Sequence, residues 1–285
     1  APAQTNLAFC CERGIGVAQD LEQAVAWYQR AAQQGYPRAI YNLGVCYEHG
    51  EGVPKDEAKA VEFYRQAAQQ GYASAQCNLG YCYAHGVGVE ENHEMAVTWY
   101  EQAAQQDYPR ALYNLALCYE DSQGVEQDID KTIACYQRAA QLGHPAAQCN
   151  LGVHYEQGDG VPKDEAKAVA LYRQAAQQGN VIGQCNLAYA LLKGIGVPED
   201  PACAVEWLRK AAQGGNGRAM CLLGDCYRHG QGVEADVEQA RQYYRKAMEL
   251  GFDAEESLQE LEQHAPAKAK KPKETSFLGG LFRKQ

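Results

Sequence analysis

Residues 39–71 read AIYNLGVCYEHGEGVPKDEAKAVEFYRQAAQQG, and the fold follows from this stretch. Ala39, Leu43, Cys46 and Tyr47 fall on one arc of a 3.6-residue helix, with Gly44 beside Leu43 so that a neighbour can approach closely. Gly50 then offers the left-handed conformation that ends a helix without Cβ strain. After the Gly-Glu-Gly-Val turn comes Asp56, a short carboxylate suited to accept from the free N–H groups of a new helix's first turn. Ala60, Val61, Phe63, Tyr64, Ala67 and Ala68 follow on a broad arc, as in a helix with neighbours on both sides, and Gly71 closes it. The stretch predicts helix, glycine turn, helix.

The same pattern recurs along the chain. Gly-Val pairs stand at Gly16, Gly52, Gly88, Gly124, Gly160, Gly196 and Gly232, each 36 residues after the last with no insertion. A period that strict denotes a repeat array, in which no unit buries its own apolar face and stacking supplies the core. Seven units cover residues 1–252. The capping position holds Asp20, Asp56, Asn92, Asp128, Asp164, Asp200 and Asp236. The fourth unit departs most, with Ser122 for glycine, Thr132 for alanine and Cys135 for an aromatic; it reads either as a flexible joint or as sequence drift. Asp253 and Glu256 suggest a capping box that opens a last helix over 253–264, with Leu258 and Leu261 turned inward to shield the array's end.

Charge is distributed unevenly. Residues 265–285 carry six Lys or Arg against Glu274 alone, a net +5 in a chain of net −10, which leaves −15 on residues 1–264. A body so acidic repels phosphate backbones and argues against nucleic acid. The 12 cysteines fall into two main helical positions: Cys10, Cys46, Cys82, Cys118 and Cys226 in one, Cys77, Cys149, Cys185 and Cys221 in the other. Same-position thiols on successive helices lie about 8–10 Å apart, beyond the ~4.4–6.8 Å between Cα atoms that a disulfide needs. They read as small, reduced, partly buried thiols, which places the chain in a reducing, cytoplasmic setting. No segment has a leader's basic-then-apolar pattern; Ala1 opens a repeat, so an upstream segment that has been removed fits the same reading.

Taken together, Ala-x-x-x-Leu-Gly-x-x-Tyr-x-x-Gly-x-Gly-Val-x-x-Asp-x-x-x-Ala-x-x-x-Tyr-x-x-Ala-Ala-x-x-Gly, as in Ala39 to Gly71, closely resembles the Sel-one-like repeat (SLR) family, relatives of tetratricopeptide repeats. The resemblance covers seven units. It implies an all-α fold, a right-handed α-solenoid superhelix of helix-turn-helix repeats, with the first helix of each unit lining the concave face. It also implies adaptors that assemble protein complexes. The cysteine-rich secreted branch of that family pairs thiols near the end of the second helix, where this chain has Ala-Ala.

The expected groove lies at positions 2, 6, 9 and 13 of each unit, away from the leucine stripe. Position 6 is an amide ladder of Asn6, Asn42, Asn78, Asn114, Asn150 and Asn186, broken by Leu222. Such a ladder can donate to and accept from an extended peptide's backbone, or else bridge neighbouring helices. Position 9 varies and includes Tyr81 and Tyr189; position 2 includes Arg38, Arg110 and Arg218. Glu48, Glu120 and Glu156 rim the groove with negative charge, which suits a partly basic peptide, or form a solvated face. The Cys-x-x-His spacings offer at most two ligands per helix, so no metal is expected. The Gly-x-Gly turns join two helices rather than strand and helix, and no serine opens a nucleophile motif. No cofactor and no catalysis are expected.

Beyond a Pro/Ala/Lys linker, Phe277, Leu278, Leu281 and Phe282 form an apolar cluster flanked by Lys and Arg. Three readings stay open: docking on a partner or in an SLR groove with self-association, contact with an anionic membrane surface, or an inert basic flexible tail. The leading expectation is a scaffold that binds a partner protein's extended segment. The alternative is a self-assembling or membrane-tethered scaffold acting through the tail.

Overall fold

The computed structural model describes residues 1–264, with fifteen helices and no strand among them. In chain order they are α1 (Pro2–Arg13), α2 (Leu21–Ala32), α3 (Pro37–His49), α4 (Glu57–Gln69), α5 (Ala73–His85), α6 (His93–Ala104), α7 (Pro109–Glu120) and α8 (Ile129–Gln141). There follow α9 (Pro145–Gln157), α10 (Glu165–Gln177), α11 (Val181–Lys193), α12 (Pro201–Gln213), α13 (Gly217–His229), α14 (Val237–Glu249) and α15 (Glu255–His264). Two helices fall in each 36-residue unit, and every helix packs on its chain neighbours. The result is an all-α solenoid. Helix α11 also touches α9 and α13, so first helices meet across the tighter, inner side of the stack.

Each turn is built as the sequence anticipates. The seven capping side chains accept from the backbone N–H three residues on, at 2.8–3.0 Å. Their own N–H groups donate back to the first helix, as Asp56 does to the Tyr47 carbonyl at 2.8 Å. Asp253 likewise accepts from the Glu255 N–H at 3.1 Å, and Leu261 is buried behind α15 while Leu258 packs beside it. The core is a column of buried tyrosines on the second helices, Tyr28, Tyr64, Tyr100, Tyr136, Tyr172 and Tyr244, with Leu208 in the sixth unit. Their rings lie where a Cβ on Gly44, Gly80, Gly152 or Gly224 would stand, at 2.4–2.7 Å, which explains the small residue beside each leucine.

The second glycine of each Gly-x-Gly turn has a different task. A Cβ on Gly88 would lie 2.3 Å from the Glu57 carbonyl oxygen, and one on Gly52, Gly196 or Gly232 would meet the backbone of Leu21, Glu165 or Pro201 at 2.2–2.3 Å. Each of these turns lands on the first residue of the preceding unit's second helix. Gly16 has the same left-handed backbone, φ 70°, but nothing within 4 Å.

Among the described residues two non-glycine residues hold positive φ, one near the end of the third unit and one in the turn of the fourth. Asp107 (φ 56°) receives the Arg138 guanidinium of α8 in a bidentate pair at 2.7 and 2.5 Å. Ser122 (φ 58°) donates from Oγ to the Val125 carbonyl at 3.1 Å. Thr132 is fully buried and donates to the Asp128 carbonyl at 2.9 Å. The unit marked as the weakest joint keeps the helix pair of the others, with side-chain bonds standing in for glycine.

Between units, buried amides are used in pairs. Gln76 and Gln148 donate to the Ala68 and Ala140 carbonyls and accept from Gln106 and Gln178 at 2.8 Å. Where the first position is Leu112, the second is Leu142. Two places break the rule: Gln70 stands opposite Ile40, and Gln184 stands opposite Gly214 with its Oε1 buried without a hydrogen bond.

Two outcomes are expected in urea denaturation followed by circular dichroism. Gly16→Ala introduces only left-handed strain, about 1 kcal/mol, whereas Gly88→Ala adds a backbone collision and loses about 2 kcal/mol more. Gln184→Leu removes an orphaned acceptor and gains about 1 kcal/mol, while Gln148→Leu removes an amide whose donor and acceptor are both in use and loses a similar amount.

Candidate functional site

The inner wall is formed by the exposed sides of the first helices, and its polar side chains divide by whether the protein itself uses them. Glu48, Glu120 and Glu156 are half-buried, and each is the acceptor for the buried tyrosine sixteen residues later. Tyr136 and Tyr172 donate to Glu120 and Glu156 at 2.5 Å, Tyr64 donates to Glu48, and in the first unit Tyr28 donates to Glu12 at 2.7 Å. Burial first, then the neighbouring carboxylate, pushes these hydroxyls far above the usual tyrosine range, so they remain donors. The glutamates read from sequence as a charged rim therefore anchor the core, and the second carboxylate oxygen of Glu120 faces Nε2 of the buried His154 at 3.5 Å. Where Leu208 replaces tyrosine, Leu192 replaces glutamate, and in the seventh unit Tyr244 finds Asp225 at 2.7 Å instead.

The amide ladder is also partly committed. Asn150 donates from Nδ2 to the Tyr136 hydroxyl at 3.0 Å, and Asn42 and Asn78 lie beside the hydroxyls of Tyr28 and Tyr64. Each such amide thus reaches back to the preceding unit's buried tyrosine. Asn114 and Asn186 point their amides at Cys77 and Cys149, at 3.9 and 3.6 Å. The side-chain carbonyls of Asn42, Asn114 and Asn150 take no hydrogen bond from the described residues. Of the two alternatives raised by the sequence, the bridging of neighbouring helices is seen at the amide nitrogens.

Arginine completes two places on the wall. Arg110 donates to Asn78 Oδ1 at 3.4 Å and lies over the Tyr81 ring, 5.9 Å from its centroid. Arg218 donates to Asn186 Oδ1 at 3.3 Å and lies over Tyr189 at 5.0 Å. Tyr81 is 37% exposed and packs on His85. A cavity of about 360 Å³ opens beside Tyr81 and Arg110, and one of about 210 Å³ beside Tyr189 and Arg218. Arg38 is exposed and joins neither place. Tyr41, between the first cavity and the core, is pushed up to about 12, mainly by burial.

Burial pushes the thiols of Cys46, Cys77 and Cys82 up to about 12, which makes them packing groups rather than nucleophiles. Among the described residues, no three His, Cys, Asp or Glu side chains converge as metal ligands, and no helix is long and apolar enough to cross a membrane. Phe277, Leu278, Leu281 and Phe282 lie outside the described residues. The tyrosine–glutamate anchors were missed by a reading of single helix faces. Their signal is the joint loss of both partners at Leu192 and Leu208.

A family model described as the Sel1 repeat matches seven times, over residues 1–36, 37–72, 73–108, 109–144, 145–180, 181–216 and 217–252. The crystal structure of a Sel1 repeat protein from Oxalobacter formigenes is similar at 32% identity and a TM-score of 0.76, over 86% of this chain and 96% of that one. A protective antigen of uropathogenic Escherichia coli with an SLR fold is similar at 38% identity and a TM-score of 0.75, over 88% of this chain and 54% of that one. A 39-residue stretch is 54% identical to chitin synthase regulatory factor 3 of Schizosaccharomyces pombe, 14% of this chain and 4% of that protein. The chain thus spans about half of the antigen and a small part of the yeast relative.

The anchors carry a measurable coupling. In a double-mutant cycle of Tyr172→Phe and Glu156→Leu, followed by urea denaturation, a coupling energy of about 1–2 kcal/mol is expected. Simple additivity would show that Glu156 belongs to the rim alone.

Proposed function

The chain belongs to the Sel1 repeat family, and from that membership we propose that it is a non-enzymatic adaptor holding an extended segment of a partner protein along its inner wall. The Sel1 repeat is typically a non-catalytic protein-interaction fold, and repeats of this kind generally bind protein partners. The observation that carries the reading is the ladder of half-used amides. Asn42 and Asn150 are held in place by the preceding unit's tyrosine and Asn114 stands on the same stripe, yet each keeps a carbonyl oxygen for a backbone N–H. A repeated acceptor of this sort grips a main chain irrespective of its side chains, while the varied residues Val45, Tyr81, Leu117 and Tyr189 discriminate between partners. Buried, weakly acidic thiols suit a reducing, cytoplasmic setting. The acidic wall favours a segment that carries donors or basic groups as well as any anionic contact.

Arginine placed on the wall should block a partner by bulk. Val45→Arg, Leu117→Arg and Val153→Arg are expected to cut partner recovery in quantitative co-purification by about tenfold or more. Thr98→Arg, Ala134→Arg and Ala170→Arg, on exposed sides of second helices, should leave it within about twofold, with circular dichroism melts confirming folding in all six. Equal recovery from both sets would remove the groove from the account.

A further inference from the structure

The two cavities are the same site built twice. The first is lined by Val45, Glu48, Asn78, Tyr81 and Arg110, contributed by three consecutive units. Adding 108 residues, three units, to each number gives Val153, Glu156, Asn186, Tyr189 and Arg218, all of which line the second. The contacts repeat with the residues: arginine to the asparagine carbonyl at 3.4 and 3.3 Å, and arginine over the tyrosine face at 5.9 and 5.0 Å. No other run of three units supplies the set. Starting at the third unit it would be Tyr81, Ala84, Asn114, Leu117 and Ala146, and at the fourth Leu117, Glu120, Asn150, Val153 and Ile182.

Both arginines are exposed and, among the described residues, pair with no carboxylate. Asparagine engages one terminal nitrogen and tyrosine supports the plane, which leaves the other N–H groups of a flat, oriented fork. That geometry suits a carboxylate taken bidentately. Glu48 and Glu156 close the opposite walls, where they repel a second anion and favour a donor such as a backbone N–H from the same segment. The net charge of −10 disfavours a doubly charged phosphate more than a single carboxylate.

We propose that the inner wall carries two equivalent carboxylate cradles that together grip one extended polypeptide by two acidic side chains. Three units at the ~8–10 Å spacing of packed helices set the cradles on the order of 25–30 Å apart, which is about eight or nine residues of extended chain. The pairing acts as a ruler: a segment with both acids at that interval engages both arginines, and one with a single acid engages either. This deepens the adaptor reading and rests on it, because a ligand must lie along the wall to reach both cradles.

The test is a phage-displayed library of random 16-residue peptides, panned on the full chain at about 0.15 M salt and sequenced, then repeated on Arg110→Gln, Arg218→Gln and the double variant. Melts should confirm that these exposed substitutions leave the fold intact. Binders lost on Val153→Arg, enriched in two Asp or Glu at one interval of about eight or nine residues, are expected. Either single variant should weaken the selected peptides by about tenfold or more and abolish the second acidic preference. Binders that depend on Val153 but show one acid, or none, would overturn the paired cradles and leave the adaptor reading standing. A library with no binder sensitive to Val153→Arg would overturn both.

Discussion

Everything in this array depends on a glycine meeting a carbonyl. Gly52, Gly88, Gly196 and Gly232 each bring a turn to within 2.3 Å, measured from a hypothetical Cβ, of the backbone that opens the preceding unit's second helix. Each lands on the residue thirty-one positions earlier. No side chain fits there, and a turn one residue longer or shorter would present a different atom to a different carbonyl. The six identical 36-residue intervals between the seven glycines are thus a packing requirement, each placing a turn on the helix end before it, at Gly160 against the Ile129 side chain. Gly16 supports this by contrast, since its φ is alike and its surroundings are empty.

Given that docking, several buried polar groups change together with their partners, although Tyr100 keeps its hydroxyl opposite Ala84 and Gln70 stands opposite Ile40. Tyrosine with glutamate becomes leucine with leucine at Leu208 and Leu192, and glutamine with glutamine becomes leucine with leucine at Leu112 and Leu142. A buried hydroxyl or amide without a partner costs on the order of 1–3 kcal/mol, whereas replacing both ends by apolar groups is nearly neutral. That asymmetry accounts for the paired changes without any appeal to function. Gln184 shows the cost left unmet, its Oε1 orphaned opposite Gly214. Asp107 and Ser122 follow the same logic on the backbone, each holding a left-handed conformation that a side-chain bond helps to secure.

Much of the fold was legible because a strict period turns each local signal into seven. Asp56 as a cap is one guess among several; seven short polar residues at that position are not. The leucine stripe, the helix-ending glycines and the small residue beside each leucine all appear where the repeat places them. The wall was less legible, because helical angle says which way a side chain leaves its helix and not what lies within its reach. Glu120 and Asn150 share the groove face by angle, yet both end on Tyr136, which belongs to a different helix. The cradles stayed hidden for a related reason: each draws on several positions and three consecutive units, so one column shows Val45 and Tyr81, and another Arg38 and Arg110, as unrelated variation.

The core anchors also bear on how such a wall binds. A side chain that must be ordered when a ligand arrives subtracts about 0.5–1.5 kcal/mol from the affinity it contributes. Asn150 has already been ordered by Tyr136, Glu156 by Tyr172, and Arg110 by Asn78 and Tyr81, so their remaining valences are fixed before any encounter. Committing half of each side chain to the fold is what aims the other half. An inner surface with fully free polar groups would offer more hydrogen bonds and hold them less well. The stacking that makes seven marginal helix pairs into one solenoid is therefore also what gives its wall a defined pattern of donors and acceptors, repeated at 36 residues along the asparagine stripe and once at 108 residues in the two arginine sites.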